Sequence, residues 1–227
     1  ARCGWGRRHV VLPVGACQVG GHGPLSLVGV PAELLAQEGG HAFSCERAPI
    51  GRDGGDEQPP GQHVVDGQGE IVWGDHILIL YARDVLARTG AGQSIIFDVK
   101  CSQALPHAIE AAGGKAVMWK TGHSLIKEKM KQLKAPLAGE MSGHMFFSEG
   151  FYGHDDALYG GARLLRIIAA AGKSIPEMLA DVPKFISTPE IRVACPDDLK
   201  FGVVAQAVSH FRSTPDAIDV DGVRVLF

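Results

Sequence analysis

From His63 onward, apolar and polar positions follow two alternating rhythms. Short continuous apolar runs bounded by glycine are separated by stretches in which apolar residues recur every third or fourth position. The first pattern predicts strands and the second predicts helices. Residues 63–65 and 70–73 flank Asp66-Gly67-Gln68-Gly69 and predict a β-hairpin, because Asp-Gly permits positive φ in the turn. Asp75 is placed to cap a helix running to about Thr89, with Ile77, Leu78, Tyr81, Val85 and Leu86 on one face and Gly90 as its stop. A strand over 94–99, a helix over 103–112 ending at Gly113-Gly114, a strand over 116–120, a helix over 124–134 and a strand over 137–140 follow. Lys127, Lys129, Lys131 and Lys134 read as the solvated face of that last helix. Strands alternating with helices of about ten residues predict right-handed βαβ units. The fold class is therefore α/β, a mixed, mainly parallel sheet with flanking helices.

The two ends are less regular. Before residue 62, glycine and proline interrupt short apolar runs, and residues 31–37 are the one short helix suggested, with Pro31 at its first position and Gly39-Gly40 beyond its end. Beyond a helix running to Ala171, Ser174 and Glu177 have capping-box spacing and start a short helix to about Val182. Residues 218–227 are expected to form an unpaired hairpin arm, the kind of exposed edge that invites association.

Composition narrows the function classes. A 227-residue chain with net charge −3 can bury a sizeable core and suggests neither a nucleic-acid nor an anionic-membrane partner. No apolar run reaches bilayer length and no signal-peptide layout opens the chain, so a cytoplasmic protein is expected. Cys3, Cys17, Cys45, Cys101 and Cys195 are odd in number and widely spaced, which predicts reduced thiols rather than a disulfide framework or a zinc site. Oligomeric state is not legible. A chain beginning at Ala1 is expected to continue a longer protein.

The candidate chemistry lies at the strand ends. If residues 139–144 stay extended, Glu140, Ser142 and His144 point to one side, a set suited to a ligand rich in vicinal hydroxyls; the alternative is a polar strand edge with glycines at a bulge. Lys100 follows the first strand of the parallel unit, and Thr121-Gly122-His123 follows the second. Ligands in open α/β sheets bind beyond the carboxyl ends of the strands, so Lys100, His123, Glu140, Ser142 and His144 are the candidate substrate-binding residues. Asp53-Gly54-Gly55-Asp56-Glu57 reads either as a solvated acidic turn or as a hard-cation loop.

Ile95-Ile96-Phe97-Asp98-Val99-Lys100-Cys101, Met118-Trp119-Lys120-Thr121-Gly122-His123-Ser124-Leu125-Ile126-Lys127 and Gly139-Glu140-Met141-Ser142-Gly143-His144 closely resemble the third domain of bacterial phosphomannomutase/phosphoglucomutase, in the alpha-D-phosphohexomutase family. Gly153-His154-Asp155-Asp156-Ala157-Leu158-Tyr159 extends the resemblance, which covers roughly residues 63–226. It implies that Glu140, Ser142 and His144 read sugar hydroxyls, that Lys100 and His123 lie beside a mannose or glucose 1- or 6-phosphate, and that His144 is a candidate general base. It also implies a phosphoserine in a first domain, a bisphosphate intermediate and magnesium. The family's metal loop, an aspartate-glycine repeat closed by arginine, belongs just before Val64-Val65, where this chain has Asp53-Gly54-Gly55-Asp56-Glu57-Gln58-Pro59-Pro60-Gly61, so no metal ligand is transferred. The expected organisation is a divergent or degraded remnant at the second-domain position over 1–62, where the abrupt change near His63 suggests a frame-shifted, degraded or chimeric coding region. A sugar-binding α/β domain follows over 63–184. The truncated start of a C-terminal domain occupies 185–227, with Ile186-Ser187-Thr188-Pro189-Glu190-Ile191 at its beginning. Two functions follow: a phosphohexose mutase, inactive as this isolated chain, or a non-catalytic sugar-phosphate-binding fragment.

Overall fold

The computed structural model describes residues 9–12, 42–44, 63–185, 191 and 193–226. The expected helix over 31–37, the acidic loop over 53–57, the passage over 186–190 and Cys3, Cys17 and Cys45 lie outside the described residues. In chain order the elements are β1 (His9–Leu12), β2 (Ala42–Ser44), β3 (His63–Val65), β4 (Ile71–Val72), α1 (Gly74–Thr89), β5 (Ser94–Asp98), α2 (Ala104–Ala111), β6 (Lys115–Trp119) and α3 (His123–Leu133). They continue with β7 (Leu137–Gly139), β8 (Met145–Phe147), α4 (Ala157–Ala171), α5 (Ile175–Met178), α6 (Lys200–Phe211) and β9 (Val223–Leu226).

The central sheet has the order β6-β5-β7-β8, in which β5 runs parallel to β6 and to β7 while β8 folds back antiparallel. Side chains alternate faces along a strand, and the apolar runs use both. Ile95, Phe97, Leu137, Met145 and Phe147 join one core with α1, α2 and α4. Ile96, Ala138 and Phe146 join a second with Ile126 and Met130 of α3 and with Ala135. The sheet is thus the middle layer of three.

Helix α1 is more deeply placed than its one-faced pattern suggests: Ile77, Leu78, Ile79, Leu80, Tyr81, Ala82, Val85 and Leu86 are all buried. It packs on β7, α2 and α4, and Tyr81 donates from its hydroxyl to the Gly160 carbonyl at 2.7 Å. Its start differs from expectation. The helix begins at Gly74, and Asp75 lies inside the first turn and reaches across to the Ser102 N–H at 2.9 Å. A Cβ at position 74 would stand 2.6 Å from the Met141 carbonyl oxygen and 2.8 Å from that of Glu140, so only glycine lets the helix start this close to the turn after β7.

Four further readings are corrected. The β3–β4 hairpin forms, but its positive φ falls at Gly69, and the Asp66 carboxylate closes the loop by accepting from Gln68 N and Glu70 N. Residues 139–144 do not stay extended: Glu140 N donates to the His144 carbonyl at 2.9 Å, Gly143 adopts φ 92°, and the chain reverses into β8. The terminal arm is paired, because β9 lies antiparallel to β1 and Ile218 and Arg224 exchange backbone hydrogen bonds. Helix α5 has its capping box yet ends at Met178, whose carbonyl accepts from Arg83. Lys131 on α3 and Lys134 just past its end are exposed as expected, while Lys127 and Lys129 are half-buried, Lys129 lying 4.0 Å over the Trp119 ring.

Candidate functional site

Because β5, β6 and β7 are parallel neighbours, with Asp98 level with Trp119 and Phe97 level with Gly139, the segments that follow them leave the sheet at one edge. Asp98 sits at its centre, fully buried. Its Oδ1 accepts from Met141 N and from Cys101 Sγ, each at 3.0 Å, and its Oδ2 accepts from Thr121 Oγ1 at 3.2 Å. One carboxylate therefore ties together the loops after all three strands. Burial pushes its carboxyl above the ordinary range, against the opposing pull of those hydrogen bonds.

Glu140 stands on the first residue of the β7–β8 turn and is nearly sealed from solvent. Its Oε1 accepts from Gly122 N at 3.1 Å, and its Oε2 from Ser142 Oγ at 3.2 Å. Burial and the neighbouring charge of Asp98 hold its carboxyl above the ordinary range. His144, at the other end of the turn, shares a 2.6 Å hydrogen bond between its Nδ1 and Asp155 Oδ2, and the other Asp155 oxygen accepts from Met145 N. Burial alone pulls this imidazole down, but the Asp155 hydrogen bond and charge outweigh it and leave it more basic than usual. His123 opens α3 and is 41% exposed; its ring stands edge-on to that of His144 at 4.2 Å. Burial and the charge of His144 make it less basic than usual. Two neighbouring imidazoles are thus pushed apart in basicity, a division suited to separate proton-accepting and neutral hydrogen-bonding roles.

His123, Glu140, Ser142 and His144 come together as expected, although a tight turn gathers the last three rather than strand alternation. Lys100 lies on the same edge, exposed, two residues beyond Asp98. Asp98, Asp155, Asp221 and Arg224 were not foreseen as part of this centre. Asp98 carried one signal, an acidic residue within the apolar run Ile95-Ile96-Phe97-Asp98-Val99. Arg224 carried none: its Nη1 donates to the carbonyls of Val99 at 2.8 Å and Cys101 at 2.7 Å, the two residues flanking Lys100. Asp221 accepts from Thr121 N at 3.1 Å, so the segment leading into β9 pins two of the three loops.

Among the described residues, His123, Glu140 and His144 form a group able to hold a metal ion, with ligand atoms all within 4.8 Å of one another. Two imidazoles and one carboxylate do not suit magnesium, which takes an octahedron of oxygens.

Residues 73–185 match the family described as phosphoglucomutase/phosphomannomutase, alpha/beta/alpha domain III. The phosphomannomutase/phosphoglucomutase of Pseudomonas putida is 49% identical over 164 residues, covering 71% of this chain and 35% of that protein. The phosphoglucomutase of Neisseria meningitidis serogroup A is 45% identical over 167 residues, covering 72% of this chain and 36% of its own length. A crystal structure of a phosphoglucomutase/phosphomannomutase family protein from Burkholderia thailandensis superposes with TM-score 0.68 at 36% identity, over 85% of this chain and 38% of that one. The chain thus spans about a third of the length of the curated relatives it matches. Through its residues 73–185, with their α/β/α layers, the chain belongs to the phosphoglucomutase/phosphomannomutase family.

Proposed function

We propose that this chain supplies the sugar-recognising part of a phosphohexose mutase, which interconverts hexose 1-phosphate and hexose 6-phosphate through a bisphosphate intermediate. The observation that carries the reading is the convergence of His123, Glu140, Ser142 and His144 at the carboxyl edge of β5–β7. Each oxygen of Glu140 has a lone pair beyond its present hydrogen bond, and the Ser142 hydroxyl both donates and accepts, so together they match vicinal sugar hydroxyls. Asp155 holds Nδ1 of His144, which orients the other ring nitrogen as the proton acceptor for the attacking hydroxyl. His123, less basic, serves as a neutral partner in the same reach, and Lys100 supplies positive charge for phosphate at the exposed rim.

Phosphoryl transfer depends on positioning and electrostatic stabilisation, and the phosphoserine implied by the family resemblance is not assigned to any described residue. By itself this chain is proposed to bind hexose phosphate with little or no turnover. Magnesium belongs to that same wider reading. Calorimetry with mannose 1-phosphate and glucose 1-phosphate tests the binding. Glu140→Ala is expected to weaken affinity at least about tenfold, and unchanged affinity would remove the turn from the site. A coupled assay with a bisphosphate activator tests the turnover, and robust conversion by this chain alone would overturn that part.

A further inference from the structure

We propose that His123, Glu140 and His144 form a site for a divalent transition-metal ion of the zinc class, which excludes the hexose from the same three side chains. The zinc proposal does not depend on the hexose reading; only the exclusion does. Two imidazoles and a carboxylate are a ligand set that zinc accepts with a fourth position left open, and nitrogen-rich sets favour the later first-row ions over magnesium. The three groups come from the start of α3 and the two ends of the β7–β8 turn, with ligand atoms no more than 4.8 Å apart. Tetrahedral ligands on bonds of about 2.1 Å lie roughly 3.4 Å apart. At its widest the site is therefore open by about 1.4 Å, and His123, the most exposed of the three, is the group able to close it.

Two independent features point the same way. The outer shell is already built: Asp155 takes Nδ1 of His144 at 2.6 Å, the carboxylate-histidine arrangement that fixes an imidazole to present its other nitrogen to a metal, and Glu140 is held by Gly122 N and Ser142 Oγ. The local charge also favours a cation. Asp98 is met by Lys100 and Arg224, but Glu140 is a buried carboxylate raised by Asp98 and faced only by the two imidazoles among its charged neighbours, and Asp155 lies beside those rings, so a divalent cation at the ring nitrogens offsets negative charge there.

The test is calorimetric titration of zinc chloride into the full chain carrying Cys195→Ser, which removes an exposed thiol as a competing ligand. The same background with His123→Gln is compared, a change at a ring 41% exposed, with circular dichroism expected to show the parent's fold in both. The parent is expected to bind one equivalent that His123→Gln weakens at least tenfold and that Asp155→Asn weakens about 10–100-fold. Cobalt(II) in place of zinc is expected to give the strong visible bands of a four-coordinate ion in the parent alone, and magnesium chloride is expected to give no corresponding equivalent. Equal zinc stoichiometry and affinity in parent and His123→Gln would overturn the site. Zinc binding unaffected by saturating glucose 1-phosphate, in a chain shown separately to bind that sugar, would overturn the exclusion while leaving the site standing.

Discussion

Asp98 and Glu140 occupy the same sheet edge, one on β5 and the other just past β7, and are 0% and 3% exposed. They do different work. Among the described residues, the hydrogen-bond partners of the Asp98 side chain are fixed parts of the framework: the Met141 amide, the Thr121 hydroxyl and the Cys101 thiol. Those of the Glu140 side chain are an amide and a neighbouring hydroxyl, and beyond them stand two imidazoles that lead to the surface. A buried carboxylate whose hydrogen bonds all end on loops holds a site in shape, whereas one that faces titratable rings is free to take part in it.

The sharpest way to break this contrast is Asp98→Ala. It strands a half-buried amide, a hydroxyl and a buried thiol, and should cost about 3 kcal/mol or more, read as a fall in the urea midpoint. A loss under about 1 kcal/mol would mean that the loops hold themselves. Next in size is Arg224→Met, expected to cost about 1–3 kcal/mol by leaving the Val99 and Cys101 carbonyls without their donor. Hydrogen exchange should rise around residues 99–103, and unchanged exchange would disconnect Arg224 from the Lys100 segment. His123→Gln tests the other side of the contrast: stability should stay within about 0.5 kcal/mol while hexose-phosphate affinity falls.

The smallest effect comes from the pair Asp75–His76. Hydrogen bonding to Asp75 raises the His76 imidazole above its ordinary value despite burial. Burial pushes the Asp75 carboxyl up, but its bonds to His76 and Ser102 win and leave it low, hence ionised throughout the neutral range. A raised histidine contributes fully below about pH 6.5, its unfolded value, and the contribution is lost as pH climbs through the folded value. With His76 one-third exposed, the loss should be no more than about 1 kcal/mol between pH 5.5 and 8.5, and absent in His76→Gln. Equal pH slopes in the two proteins would sever the link to this pair.

The alternation of β5, α2, β6, α3 and β7 was legible because each buried strand is a continuous apolar run closed by glycine or polar residues. The turn at 140–144 was not, since Glu140, Ser142 and His144 repeat every second residue as a strand would. Only Gly143, free to take positive φ, hints at the reversal. The gathering of those side chains could be foreseen while its cause could not. Arg224 shows a different limit: its partners lie more than a hundred residues away, and local pattern has no reach over that span.

Gly74 gives the site an unusual kind of insurance. Main chain rests on main chain there, so hard-core repulsion fixes how far the Glu140 turn can sink toward α1, independently of how neighbouring side chains fill their space. Drift among the surrounding leucines, isoleucines and methionines can change volume without moving the carboxylate. A library that randomises those neighbours should keep ligand recognition wherever position 74 stays glycine, and lose it when even one methyl group is added at that point.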